Sequence, residues 1–343
     1  MKLMQRLALV ALLSVVPAAQ AWDYEGHRIV NQLALAALPP EFPAFVHQPE
    51  NAERIAFLAG EPDRWRNNPD FPIKQFNVLD HYLDFEQLEW AGLDSKTVSD
   101  LRYVFVVDFA KGRAANTDKF PSINPARNKD HTREWPGFLP WAVTEYYGKL
   151  KSAFSYLKAY ETFGGTPEEI ANAQANIVYM MGVMGHYVGD GAQPLHTTVH
   201  HNGWEGENPH DYTKWRGIHA WIDGGFIGQT GINAESLRSR VTEVVPLNMS
   251  SRADGRDPVF VATMDYVAEQ NAQVEPLYVL DKEHGFKLDD ASEAAQGQAF
   301  IKKQLIRGGE MLAAIWLTAW RNTTEDKYLT DQLTKRTEAQ FGN

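Results

Sequence analysis

Residues 166–190 read TPEEIANAQANIVYMMGVMGHYVGD, and the fold turns on this stretch. Thr166-Pro167-Glu168-Glu169 is a capping box with proline at the first helical position, so the hydroxyl and the Glu169 carboxylate satisfy backbone N–H groups that a helix start leaves open. Behind it Ile170, Ile177, Met181, Met184 and Val188 recur at helical spacing, and no Asp, Glu, Lys or Arg follows Glu169 until Asp190. Such a segment predicts a central, buried helix. Working outward, helical spacing also covers 26–38, with Ile29, Leu33 and Ala36 on one stripe. It recurs over 138–163, 257–273 and 290–320, the last carrying Phe300, Leu305, Met311, Ile315 and Trp320. Strand-type alternation is scarce, and Leu101–Val107 is the one ambiguous run. The expectation is an all-α fold: a single mostly helical domain over 22–343, with no repeat and no dividing linker. Stretches 112–137 and 200–210 are rich in Gly, Pro, Asn and charge, and loops of that length are mobile or functional.

Composition narrows the chemistry. Of 343 residues 44% are hydrophobic and 22% charged, enough for a large core and unlike a disordered chain. Lys and Arg total 33 against 44 Asp and Glu, without a basic block, which argues against tight nonspecific binding of duplex DNA. There is no cysteine, so disulfides, thiolate zinc sites and a cysteine nucleophile are excluded, leaving His, Asp and Glu to hold any metal.

Residues 1–21 combine Lys2 and Arg6 with an apolar run Leu7–Val16, then Pro17 and Ala19-Gln20-Ala21, the pattern of a cleaved secretory signal. The run is too short to span a bilayer. Cleavage would leave Trp22 first, take the net charge from −11 to −13 by removing Lys2 and Arg6, and place the protein in a periplasm or outside the cell. No stable membrane insertion is expected.

The chemistry-bearing residues cluster around the central stretch. His186 and Asp190 are four apart and so share a helix face; Pro194 ends the helix, and a turn can return His196 beside them. His219 and Asp223 repeat that spacing, and Asp63, His81 and His27 stand upstream. One such His is more often a hydrogen-bonded core residue than a ligand. This many, beside an otherwise uncharged helix that should not bury an acid, call for a neutralising cation. Three aspartates and five histidines can serve more than one divalent ion; nitrogen and carboxylate donors without thiolate suit zinc, with manganese and iron as alternatives.

At these residues the chain resembles the trinuclear zinc nucleases of the S-one/P-one type, related to bacterial zinc-dependent phospholipase C. Trp22 followed by Gly26-His27, the His186…Asp190…Gln193-Pro194-Leu195-His196 run, His219-Ala-Trp-Ile-Asp223 and the Gly308–Ala313 segment carry the resemblance across most of the chain. It implies the phospholipase C/nuclease fold with a trinuclear cleft and three zinc ions: one on Asp63, His81, His186 and Asp190, one on His196, His219 and Asp223, and one on the α-amino nitrogen and carbonyl oxygen of Trp22 with His27 and a bridging Asp190. Asp63, His81, His186 and Asp190 then form the catalytic set, and His196, His219 and Asp223 serve the leaving oxygen. The implied activity is endonucleolytic cleavage of single-stranded DNA and RNA to 5′-nucleotides, with 3′-nucleotidase activity, by a monomer needing no protein partner. Trp65, Trp204, Tyr212 and Trp215, near the ligands in sequence, are either core residues or platforms for splayed bases.

The runner-up is a phospholipase C or another phosphodiesterase. The nuclease reading is favoured by the five-residue step from Trp22 to His27, by Asp223 where the phospholipases tend to use Glu, and by the lack of an evident lipid-insertion motif. A non-catalytic zinc-binding protein is a further alternative, but the candidate ligands are dispersed rather than gathered in a tract. His200-His201 is the nearest thing to one, and His47, His131, His210 and His284 read as surface or surrounding residues. The chain departs from the family in having no disulfides and in carrying Gly224 where many of the nucleases have an Asn that helps hold the scissile phosphate. It also has a long segment after His81 containing Lys111, Arg113, Lys119, Arg127, Lys129, His131 and Arg133, which is a lid or a solvated loop. Because a free α-amino group and its own carbonyl oxygen close a chelate that an internal peptide nitrogen cannot, a chain keeping Met or a tag ahead of Trp22 is expected to lose the third metal and most activity. Metal analysis and an activity assay check this; full activity would contradict it.

Overall fold

The computed structural model describes residues 22–341; the expected signal, 1–21, lies outside the described residues. The capping box forms: the Glu169 amide donates to Thr166 Oγ1 (3.2 Å), the Thr166 amide donates to Glu169 Oε2 (2.8 Å), and one helix runs Pro167–Gly191. From Met181 to Gly191 every residue is buried. A helix buried all round needs neighbours on all sides, and Tyr24–Ala37, Pro49–Leu58, Leu139–Phe163 and Ala291–Arg321 supply them. The first and last of these also pack on each other. The buried apolar side chains form one connected cluster from Trp22 to Ala319, and no strand occurs among the described residues, so the architecture is all-helical. No helix of the described residues is long and apolar enough to cross a membrane.

Close approach at the centre depends on glycine. A Cβ on Gly185 would lie 1.6 Å from Asn31 Oδ1, and one on Gly189 would lie 2.8 Å from His27 Nδ1. Asn31 is fully buried and donates to the carbonyls of Ile55 (2.8 Å) and Gly182 (3.0 Å), tying three helices together one residue from His186.

Leu101–Val107 is helical, not strand: the helix Arg102–Ala115 buries Phe105 and Phe109, four apart, with Phe105 stacked on Trp141 at 4.1 Å. That i,i+4 pair decides the conformation over the alternation in its first turns. The 112–137 stretch opens within this helix and is then pinned by aromatics rather than left free. Phe120 packs edge-on against Trp90 and Phe109, with the Arg113 guanidinium over its ring, and Trp135 lies against Phe109 and Phe138. Helices Pro49–Leu58, Glu61–Arg66, Phe71–Leu79, Val274–Lys282 and Lys327–Phe341 had no clear reading in the sequence.

Gly185→Ala is expected to destabilise the protein by about 2 kcal/mol or more, because the methyl must displace Asn31 from both carbonyls. A lowered urea midpoint would show it, and an unchanged midpoint would contradict this packing.

Candidate metal centre

Eight candidate ligands reach one place from separate elements. His27 lies in the first turn of Tyr24–Ala37, and Asp63 on the short helix Glu61–Arg66. His81 follows Phe71–Leu79, and His186 and Asp190 stand one turn apart on the central helix. His196 sits in the 3-10 turn Pro194–Thr197 that Pro194 opens, as its position after the helix suggests. His219 begins a helical stretch that widens into a π-turn over Trp221–Gly225, which carries Asp223. All eight are buried, 0–8% exposed.

Their donor atoms fall into three groups within which atoms lie no more than 4.8 Å apart: His27, His186 and Asp190; Asp63, His81 and His186; His196, His219 and Asp223. Asp190 stands between them. Its Oδ2 faces His81 Nδ1 (2.9 Å) and His186 Nε2 (3.3 Å), and its Oδ1 faces His27 Nε2 (3.4 Å) and His196 Nδ1 (3.6 Å). The His27 and His186 rings stack at 3.8 Å. Backbone carbonyls fix two tautomers: His186 Nδ1 donates to Ala59 (2.6 Å) and His196 Nδ1 to His81 (2.6 Å), which leaves Nε2 of each as the donor atom. The His81 segment is itself held by the Leu83 amide donating to the His196 carbonyl (2.9 Å) and the Phe138 amide donating to the Leu79 carbonyl (2.6 Å). His219 Nε2 lies 2.9 Å from Asp223 Oδ2, and the Gln193 side-chain amide donates to Asp223 Oδ1.

The electrostatics is strained without a cation. Burial pushes the imidazoles of His27, His81 and His219 down, to about 4 for His81 and about 3 for His219, and burial lowers His196 as well. Burial opposes ionisation of Asp190, but the His196 and His186 imidazoles outweigh it and hold the carboxyl well below its usual range. Asp223 is driven well above its usual range by burial. Buried polar atoms without a hydrogen-bond partner occur on His27, His81, Asp190, His196, His219 and Asp223. Each such atom costs about 1–3 kcal/mol, and so many converging on one point fit divalent cations. The donor set, imidazole nitrogen and carboxylate oxygen, suits zinc among others.

Trp22 is also brought here. Its indole is buried, and Nε1 donates to the Gly189 carbonyl (2.8 Å), while the Asp23 amide donates to the Asp223 carbonyl (3.2 Å). A Cβ at Gly224 would meet Asp23 Oδ2 at 2.6 Å, so the Asp23 carboxylate occupies the space where an Asn would stand. Of the four candidate aromatic platforms, Tyr212 is buried, Trp65 and Trp204 pack against the core, and Trp215 is exposed. His47, His131, His210 and His284 lie on the surface. Sequence reading passed over Arg66, whose Nε lies 2.7 Å from Asp63 Oδ1 and whose Nη2 is buried without a partner; its spacing of three from Asp63 was the available signal. It also missed Gln193 as the partner of Asp223. No protein-family model matches the chain, and no curated protein does.

In the metal-free protein the four imidazoles with lowered pKa values contribute stability that is complete above about pH 6.5 and lost as pH falls toward about 4. Asp223, and His186, whose imidazole the Asp190 and Asp63 carboxylates raise against burial, act in the opposite sense but are outnumbered. The urea midpoint of chelated protein is expected to be lower at pH 5 than at pH 7; an equal or higher value at pH 5 would contradict the buried neutral imidazoles.

Proposed function

We propose that this chain is a secreted zinc-dependent hydrolase of phosphodiester bonds, of the S-one/P-one nuclease type, cutting single-stranded DNA and RNA to 5′-nucleotides. The observation that carries it is the convergence of eight buried His and Asp side chains, six of them with unpartnered polar atoms, into three adjoining donor groups. His186 has only Nε2 to offer, so it serves one ion, with Asp63, His81 and Asp190 Oδ2. His27 and Asp190 Oδ1 are then left short of donors for a second ion, a shortage that the α-amino nitrogen and carbonyl oxygen of a processed Trp22 would make good. His196, His219 and Asp223 complete a third set. Zinc bound there supplies Lewis acidity and brings the pKa of water to about 7.

The chain's own residues supply position and charge. The carbonyls of Ala59 and His81 aim Nε2 of His186 and His196, and Gln193 orients Asp223. Arg66 contributes the one guanidinium whose charge reaches both His81 and His219, and its unpartnered Nη2 suits a phosphate oxygen. This local positive charge answers the net −11 of the whole chain.

One observation favours the phospholipase alternative: Phe71, Ile73 and Phe76, on the helix between Asp63 and His81, are exposed and apolar, as a lipid surface would need. Chelated protein with Trp22 first, incubated with single-stranded DNA, RNA and phosphatidylcholine before and after zinc addition, separates the readings. Zinc-restored cleavage of the nucleic acids is expected, abolished in His186→Ala/Asp190→Ala. Head-group release alone would move the protein to the phospholipase branch, and full activity of the double variant would refute the metal mechanism.

A further inference from the structure

We propose that the outer faces of helices Phe71–Leu79 and Arg102–Ala115, with the basic segment 127–134 that joins them, form a surface that docks on an anionic lipid bilayer without crossing it. The proposal is independent of which bond the metal centre cuts.

Arg102–Ala115 has two apolar faces where folding uses one. Phe105 and Phe109 turn inward, Phe105 onto Trp141 and Phe138 and Phe109 toward Trp135. Helical spacing puts Tyr103 and Val107 on the opposite side, with Val104 and Lys111 beside them. Tyr103 is 82% exposed, and Val104, Val107 and Leu101, just ahead of the helix, are exposed as well. This second face accounts for the excess of apolar residues that makes 101–107 ambiguous in the sequence. Phe71–Leu79 behaves alike: Leu79 is its one buried residue, and Phe71, Ile73 and Phe76 are exposed, Phe76 at 66%.

The two helices adjoin. Ile73, Phe76 and Asp80 follow at intervals of three and four, one stripe that continues into the C-cap, and Asp80 Oδ1 meets Arg102 Nη2 at 3.0 Å. Arg102 directly precedes Tyr103, so the stripe of the first helix runs up to the outer face of the second. Arg113 lies about three turns after Arg102, on the same flank, and donates to the Glu134 carbonyl (3.2 Å). On the other helix Lys74 Nζ pairs with Asp130 Oδ2 (3.3 Å) and Gln75 Nε2 donates to the Asp130 carbonyl (3.1 Å). Segment 127–134 is therefore fastened to both helices, and its Arg127, Lys129 and Arg133 are exposed.

Charge selects the occupant. Between 101 and 133 Lys and Arg number seven against three Asp, a net +4 within a chain of net −11. Exposed aliphatic and aromatic side chains rimmed by cations match the acyl boundary and anionic head groups of a bilayer. A second copy of the chain would set a like-charged rim against this one. The exposed Leu, Val and Ile side chains have no planar face for a base, which argues against single-stranded nucleic acid. Because no helix of the described residues is long and apolar enough to span, the contact is with the membrane surface.

Cosedimentation of the metal-loaded full chain with vesicles tests this, comparing equal parts phosphatidylglycerol and phosphatidylcholine with phosphatidylcholine alone. The variants are Ile73→Ser/Phe76→Ser, Tyr103→Ser/Val107→Ser and, at exposed sites away from the core, Lys111→Glu/Lys129→Glu, with metal content and melting temperature measured for each. Binding to the anionic vesicles is expected to exceed that to phosphatidylcholine about tenfold or more and to weaken as salt is raised. It should fall about tenfold in either serine pair and several-fold in the charge-reversed pair. Wild-type protein left in the supernatant, or binding unchanged in all three variants, would overturn the docking surface. So would binding that the charge reversal alone weakens, since the apolar faces would then be idle. A concentration-dependent dimer, or binding of a single-stranded oligonucleotide, that the serine pairs abolish while vesicles bind nothing would give the face to another occupant and refute the proposal. Head-group release measured in the same samples reports on the hydrolase reading alone, so either reading can fail without the other.

Discussion

The structure depends on one carboxylate. Asp190 is fully buried, lies at the end of a helix with no other carboxylate, Lys or Arg after Glu169, and faces four imidazoles with its two oxygens. An acid in that position is tolerable only when paired, and neutral imidazoles, carrying no net charge, balance its charge only in part. The charge buried by the central helix and the donor set gathered around it pose one problem, and a divalent cation bound there would meet it.

Much of the surrounding architecture is what it takes to bring seven further candidate ligands to that carboxylate. Gly189 lets His27 lie against the central helix, and Gly185 admits Asn31, whose amide fastens the first two long helices there. The carbonyls of Ala59 and His81 choose which imidazole nitrogen faces inward. The π-turn at Trp221–Gly225 places Asp223 beside His219 and opposite Gln193. Gly185, Gly189, Asn31, Ala59 and Gln193 offer no candidate ligand atom themselves, yet each holds a ligand or the helix that carries one in place, and such surrounding contacts orient metal ligands.

The helices over 26–38, 138–163, 166–190, 257–273 and 290–320 and the pairs His186/Asp190 and His219/Asp223 were legible because they rest on local signals, a capping box and helical spacing, whereas His27, Asp63 and His81 carry no such signal and stood out only beside those pairs. Leu101–Val107 was not legible, since its alternation is overruled by where Phe105 and Phe109 find partners far along the chain. The packing of Tyr212 and Trp204, and the exposure of Trp215, likewise depend on tertiary neighbours such as Tyr278 that no local pattern reveals. Arg66 was missed for a different reason: its spacing from Asp63 is ordinary for a surface helix pair, and only the loss of solvent at Nη2 marks it out. The Asp23 carboxylate against Gly224 belongs to the same class, a contact between residues two hundred positions apart.

The central claim, that the buried His and Asp set is a metal centre, is tested most directly by anomalous diffraction from crystals of the purified chain at the zinc absorption edge and just below it. The account predicts edge-dependent peaks among the His27, Asp63 and His219 groups, each within coordination distance of the nitrogen and oxygen atoms named above. Ordered density for all eight side chains with no anomalous peak, in a protein as stable after chelation as before, would contradict it.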